Sequence, residues 1–183
     1  RSQLLGRHKI LTVDEREKVV YEIVNAVEYL KKMRIGALIV IEHNSPLVEY
    51  ERTGIAVDGL VTNQLLINIF EHNTPLHDGA VIVRGNRIVA ATCYLPLSDN
   101  MDLSKQLGTR HRAAVGMSEV SDALVICVSE ETGSVSYAVG GQLKRGVLQA
   151  ELKAQLLDLQ NKTEDSNKKF TLKKGRREDE RQI

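Results

Sequence analysis

Apolar residues occur along the chain either at helical spacing or in short continuous runs, and the change from one to the other marks out its elements. Val19, Val20, Ile23, Val24, Val27 and Leu30 follow the three-and-four spacing of one helical face. Ahead of them, Thr12-Val13-Asp14-Glu15 reads as a capping box, while Lys31, Lys32 and Arg34 suit the negative end of the helix dipole. Ala37 to Ile41 is a short continuous apolar run after Gly36 and predicts a buried strand. Pro46 and Gly54 punctuate the next stretch, where Leu47 to Glu51 reads as a strand or as part of a loop. Asp58-Gly59 is a turn signal, and residues 60–72 read as a helix with Val61, Leu65 and Ile69 on one side.

Farther on, short continuous apolar runs return. Ala80 to Val83 and Ile88 to Ala91 flank Gly85-Asn86, the signature of a hairpin, and Pro96 closes the second arm or the segment after it. A polar loop from Ser98 to Gly108 leads into a predicted helix from Arg110 to about Val120. Leu124 to Val128 and Ser134 to Val139 form a second strand pair around Glu130-Glu131-Thr132-Gly133, broken by Gly140-Gly141. Leu143, Val147, Leu148, Leu152, Leu156 and Leu159 mark a closing helix. The pattern predicts a mixed α/β body: hairpins in a mostly buried sheet, with helices before, between and after.

Composition narrows the picture only a little. With 183 residues, 42% hydrophobic and 27% charged, the chain is an ordinary globular sequence long enough for one sizeable core. We expect that domain over residues 1–160 and a charged tail without a fixed fold over 161–183, where only Phe170, Leu172 and Ile183 are strongly apolar. The Lys173-Lys174-Gly175-Arg176-Arg177 cluster attracts polyanions in isolation, but interleaved acidic residues favour a solvated tail. A net charge of +1 argues against a surface built as a whole for nucleic acid. Cys93 and Cys127 both sit in apolar strand-like runs and read as buried free thiols. No run approaches the roughly 18–20 apolar residues needed to cross a bilayer, and no signal peptide is visible. Because the chain begins Arg1-Ser2, it reads as a fragment, so membrane segments upstream stay open.

Two places break local preference, as functional sites tend to do. In Gly108-Thr109-Arg110-His111-Arg112, Thr109 reads as an N-cap, which puts two arginines and a histidine in the first helical turn, at the positive end of the dipole. Such a cluster is unfavourable without an anion, and free N–H groups at the same place bind phosphate. A solvated helix start paired with nearby acids explains it about equally well. The second place is Thr74-Pro75-Leu76-His77-Asp78-Gly79-Ala80, where an imidazole and a carboxylate precede a buried strand. Gly79 allows close approach by a ligand, and His77 with Asp78 are plausible ligands for a divalent metal. On its own, a plain Asp-Gly turn is the simpler explanation. Together, a carboxylate at a strand mouth and an Arg-His-Arg helix start are the parts that nucleotidyl transfer needs. With no Walker-type loop and no GxGxxG, a nucleotide site here must use another design.

The triplets Asp78-Gly79-Ala80 and Arg110-His111-Arg112 are similar, in order and separation, to the DGA and RHR motifs of diadenylate cyclase domains. Glu51-Arg52-Thr53-Gly54, Ala91 to Leu97 and Ser129 to Gly133 also look like segments of that family, and the resemblance spans roughly residues 10 to 160. It implies a central mixed sheet wrapped by helices. It also implies condensation of two ATP into cyclic di-AMP and two pyrophosphates, with Mn²⁺ or Mg²⁺, across a homodimer in which each subunit brings one ATP. Carried over by position, Asp78 assists the ribose 3′-hydroxyl and binds metal, His77 joins the metal site, and Gly79 touches the nucleotide. Thr109, Arg110, His111 and Arg112 hold phosphates, Tyr94 and Leu95 border adenine, and Ser129 with Glu130 or Glu131 faces phosphate or metal. For Tyr94 and Leu95 a role as strand-end core residues competes, and for Ser129 to Glu131 a plain hairpin tip.

A helix leading directly into this core resembles the membrane-linked CdaA type. That type implies transmembrane helices ahead of it, a place on the cytoplasmic side of the cell membrane, and as partners a membrane-anchored regulator and phosphoglucosamine mutase. Two other classes of function stay open from sequence. One is a module that binds ATP or a cyclic dinucleotide without turning it over. The other is a nucleic-acid binder using the basic tail, which 4% aromatic residues and a near-neutral charge weaken.

Overall fold

The computed structural model describes residues 10–179. A seven-stranded sheet in the order β2-β4-β3-β1-β5-β6-β7 forms the middle layer: β1 (Ala37–Ile41), β2 (Ile55–Leu60), β3 (Ala80–Arg84), β4 (Arg87–Cys93), β5 (Leu124–Val128), β6 (Val135–Val139) and β7 (Gln142–Lys144). β1 and β3 pair in parallel and the remaining pairs are antiparallel, so the sheet is mixed. Helices α1 (Val13–Met33), α3 (Asn63–Phe70) and α5 (Gln149–Asp179) cover one face, and α4 (Thr109–Val120) covers the other, with the short α2 (Val48–Glu51) at its side.

Covering both faces is what makes the central strands continuously apolar. In β1, Ala37 and Ile39 face the α1 side while Leu38 and Val40 face α4, and all four are buried. Leu38, Ile39 and Val40 each contribute about 1.5–3 kcal/mol of apolar burial, so an alternating strand would not hold this position. α1 begins as its sequence predicts. Thr12 Oγ1 accepts from Glu15 N at 3.2 Å, and Thr12 N donates to Glu15 Oε2 at 2.9 Å.

Several elements differ from the sequence reading. Leu47 to Glu51 is neither strand nor loop but carries α2, with Leu47 buried as its N-cap. Asp58-Gly59 does not end a segment: it is a bulge inside β2, where Asp58 takes φ +47° and its carboxylate accepts from Arg87 of the neighbouring strand. The predicted 60–72 helix is shorter and opens at Asn63, capped by Thr62 Oγ1. Leu143 belongs to β7 rather than to the last helix, because the Gly140-Gly141 turn folds the chain back onto β6. α5 runs on through Asp179. The stretch after residue 160 contains no proline and many good helix formers, and Lys162 Nζ lies 2.8 Å from the Asp158 carboxylate one turn back, so helical continuation needs no core beneath it.

The register sets up the site. β1 starts opposite the end of β5, β5 ends opposite the start of β6, and β3 starts opposite the end of β4. The loops after β4 and β5, and those before β1, β2 and β3, therefore open at one edge of the sheet, beside the start of α4.

Candidate active site

At that edge lies a cleft of about 960 Å³, ample for a nucleoside triphosphate. Its lining changes character along its length. At the β2–β4 end it is apolar, with Ile55, Tyr94, Leu95 and Leu97. Asp78 and Gly79 stand at the mouth of β3 near the middle, and Arg110, His111 and Arg145 supply positive charge toward β5 and β7. Thr109, Ser129, Glu130 and Glu131 line it as well.

Gly79 has φ +84°, and a Cβ there would sit 2.9 Å from the Thr92 carbonyl carbon. The backbone can run this close to β4 only without a side chain. Thr92 itself takes φ +54° beside it. The neighbouring Asp78 carboxylate is exposed to the cleft. His77 Nδ1 donates to the Thr74 carbonyl at 2.7 Å. His77 is not part of the cleft wall.

The start of α4 differs from the expected one. Gly108, not Thr109, is the N-cap, and no side chain caps the helix; Thr109 is its first residue. The opening N–H groups thus have no partner inside the helix. The Arg110 guanidinium packs against Gly36, where a Cβ would collide with it, and Nη1 stands 3.4 Å from Glu130 Oε2. The His111 imidazole is held below its ordinary value of 6.5 by burial first, then by the charges of Arg145 and Arg110. Arg112 is not part of the cleft wall; its carbonyl accepts from Ser98 N at 3.0 Å and anchors the polar loop.

Tyr94 is 78% exposed at the apolar end, so it is not a core residue. Its position is held from behind. Its N–H donates to Thr53 Oγ1 at 2.8 Å, and Thr53 Oγ1 donates to the Tyr50 carbonyl at 2.6 Å. α2 in turn is tied to the sheet through Arg84, which donates to Glu42 at 2.8 and 2.9 Å and to Glu51 at 2.7 Å. Both carboxylates raise the Arg84 pKa. Ser129 Oγ accepts from Thr132 N within the β5–β6 turn. Cys93, in the cleft wall, is pushed up to about 11 and Cys127 to about 12, in both cases chiefly by burial, so both stay thiols at neutral pH.

Sequence reasoning assigned no role to Arg145 or Thr53. Arg145 was hidden because the β7 segment was read as the start of the last helix; Thr53 sat inside a family-like segment with nothing to set it apart.

A sequence family described as "DisA bacterial checkpoint controller nucleotide-binding" matches residues 24–143. The chain belongs to this family. Over 156 residues it is 50% identical to the cyclic di-AMP synthase CdaA of Bacillus subtilis, covering 85% of this chain and 57% of that protein. It is 49% identical over 161 residues to a diadenylate cyclase of Listeria monocytogenes, covering 85% of this chain and 59% of that one. The chain thus spans 57–59% of the length of these curated relatives. Its fold matches the crystal structure of a DacA double mutant from Staphylococcus aureus, with a TM-score of 0.79 at 49% identity over 80% of this chain and 98% of that one. Among the described residues no helix is long and apolar enough to cross a membrane.

Proposed function

We propose that this domain is a diadenylate cyclase, which condenses two ATP molecules into cyclic di-AMP and two pyrophosphates. The observation that carries the reading is the single cleft that joins an exposed carboxylate at a strand mouth, Asp78, to an uncapped helix start bearing Arg110 and His111. In each half-reaction a ribose 3′-oxygen forms a bond to the α-phosphorus of the other ATP. The bond from that phosphorus to the pyrophosphate oxygen breaks, and the hydroxyl proton passes to Asp78 or to water. One cleft holds one nucleotide, so two copies of the chain face each other, each presenting its hydroxyl to the other's phosphate. Catalysis of this kind is positioning and charge stabilisation.

Asp78 would offer Mn²⁺ or Mg²⁺ a hard carboxylate oxygen at the cleft, and His77, which lies outside the cleft wall, would steady that loop through its hydrogen bond to the Thr74 carbonyl. When bound there, such a cation would supply neutralisation of phosphate charge and a lower pKa for the attacking hydroxyl. Thr109, Arg110 and His111 with the helix N–H groups hold the phosphates, and Tyr94, backed by Thr53, lies against the base. Arg112 contributes by fixing the loop before α4. Residues 10–160 form the catalytic unit, and the helical extension beyond it is dispensable for chemistry. In the longer protein this unit works at the cytoplasmic side of the membrane, where a membrane-anchored regulator and phosphoglucosamine mutase are its partners.

The test is incubation with ATP and Mn²⁺, chromatography of the products, and Asp78→Asn in parallel. Cyclic di-AMP forms with the parent chain, and the variant loses at least about 100-fold in rate. ATP binding without product, at every protein concentration tried, overturns the cyclase reading in favour of a binding module.

A further inference from the structure

We infer that Arg145 is a phosphate-binding residue of this cleft and holds the terminal two phosphates of ATP, the part that departs as pyrophosphate. The inference rests on the cyclase reading and deepens it. Two basic residues stand side by side at the end of β7, and the fold sends them to different places. Lys144 Nζ pairs with the Glu151 carboxylate of α5. Arg145 comes next on the cleft wall, exposed, and the chain turns away immediately after it at Gly146, φ +65°. Among the described residues no carboxylate pairs with Arg145. Arg110, by contrast, already has Glu130 opposite it. Arg145 lines the same cleft as Arg110 and His111 at the α4 start, and its charge helps hold the His111 imidazole low.

The order of the strands decides which phosphates it meets. β2 and β4 bring apolar Ile55, Tyr94 and Leu95 to one end of the cleft, β3 brings Asp78 to the middle, and β7 brings Arg145 to the far end. A nucleotide with its base at the apolar end and its reacting phosphate near Asp78 extends its terminal phosphates toward β7. A guanidinium without a carboxylate partner there, in the same cleft as Arg110 and His111, gains a bidentate anion. As pyrophosphate leaves, the same fork stabilises the charge that builds on it.

The measurement uses 3′-deoxy-ATP and 3′-deoxyadenosine monophosphate with Mg²⁺, which bind but lack the attacking hydroxyl, titrated calorimetrically against the parent chain, Arg145→Ala, Arg145→Lys and Lys144→Ala. We expect Arg145→Ala to weaken the triphosphate by about tenfold or more while changing the monophosphate by less than about twofold. Arg145→Lys recovers part of the loss, because it keeps charge without the fork. Lys144→Ala, whose partner lies on α5, changes neither. Unchanged triphosphate affinity in Arg145→Ala, or equal loss for both ligands, overturns the assignment and leaves the cyclase reading standing. A parent chain that binds no 3′-deoxy-ATP overturns both together. Unaltered thermal unfolding of Arg145→Ala separates lost binding from lost fold.

Discussion

Two helices of this chain begin in opposite ways. α1 opens with Thr12 and Glu15 in reciprocal hydrogen bonds and carries acidic Asp14 and Glu15 in its first turn, so its free N–H groups and its dipole are both answered from within. α4 opens at Gly108 with no side-chain cap and no acid in its first turn, which instead holds Arg110, His111 and Arg112. Both helices are well packed, so the difference is not one of order. A start that the chain completes for itself is a structural joint. One left open and surrounded by cations is complete only when an anion arrives.

The sharpest way to break the contrast is to give α4 the kind of start that α1 has. Gly108 has open space where a Cβ would go and an ordinary φ of −80°, so Gly108→Asp is tolerated by the backbone. We expect it to raise stability by about 0.5–1 kcal/mol, read from thermal or denaturant unfolding. In the same variant cyclic di-AMP formation falls by at least about 100-fold, because the new carboxylate occupies the phosphate position. A variant that is more stable and still fully active would mean that the open helix start is not where phosphate binds.

A smaller effect comes from pH. His111 is held below 6.5 in the folded chain, so the native state binds this proton more weakly than the unfolded one. Stability from this group is therefore level above 6.5 and declines as pH falls below that value. A bound triphosphate opposes this bias by favouring imidazolium, so ATP binding draws a proton onto His111, measurable as a buffer-dependent heat in calorimetry. His111→Gln abolishes both dependences. Smallest is the reciprocal experiment on α1: Thr12→Ala removes half of the capping box and costs about 1 kcal/mol of stability while leaving the rate of cyclic di-AMP formation unchanged.

How far each feature could be read ahead of the structure depends on how local its cause is. The α1 cap, the β3–β4 hairpin around Gly85-Asn86 and the apolar β1 and β5 rest on residues adjacent in sequence or on burial of both faces, and they stand where the pattern put them. β2 was masked because its bulge at Asp58-Gly59 looks like a turn when the strand it pairs with is unknown. β7 was masked because Leu143 happens to fit a helical spacing with Val147, although its partner is β6. At the site, the residues singled out by motif resemblance line one cleft, except that His77 and Arg112 are not part of its wall. Arg145 carries no motif, and nothing local separates it from Lys144.

From sequence alone the chain determined its α/β class, the two buried thiols, and the two segments, 77–80 and 108–112, whose residue types contradict their local setting. Those properties depend on neighbours within a few residues, where propensity, capping and periodicity act. Only the tertiary structure decided that Asp78, Arg110 and Arg145 share one cavity, that Tyr94 is propped by Thr53 at its apolar end, and that Lys144 is answered while Arg145 is not. Each of these depends on strand order and register, which bring together side chains far apart in the chain through pairings that no local pattern encodes.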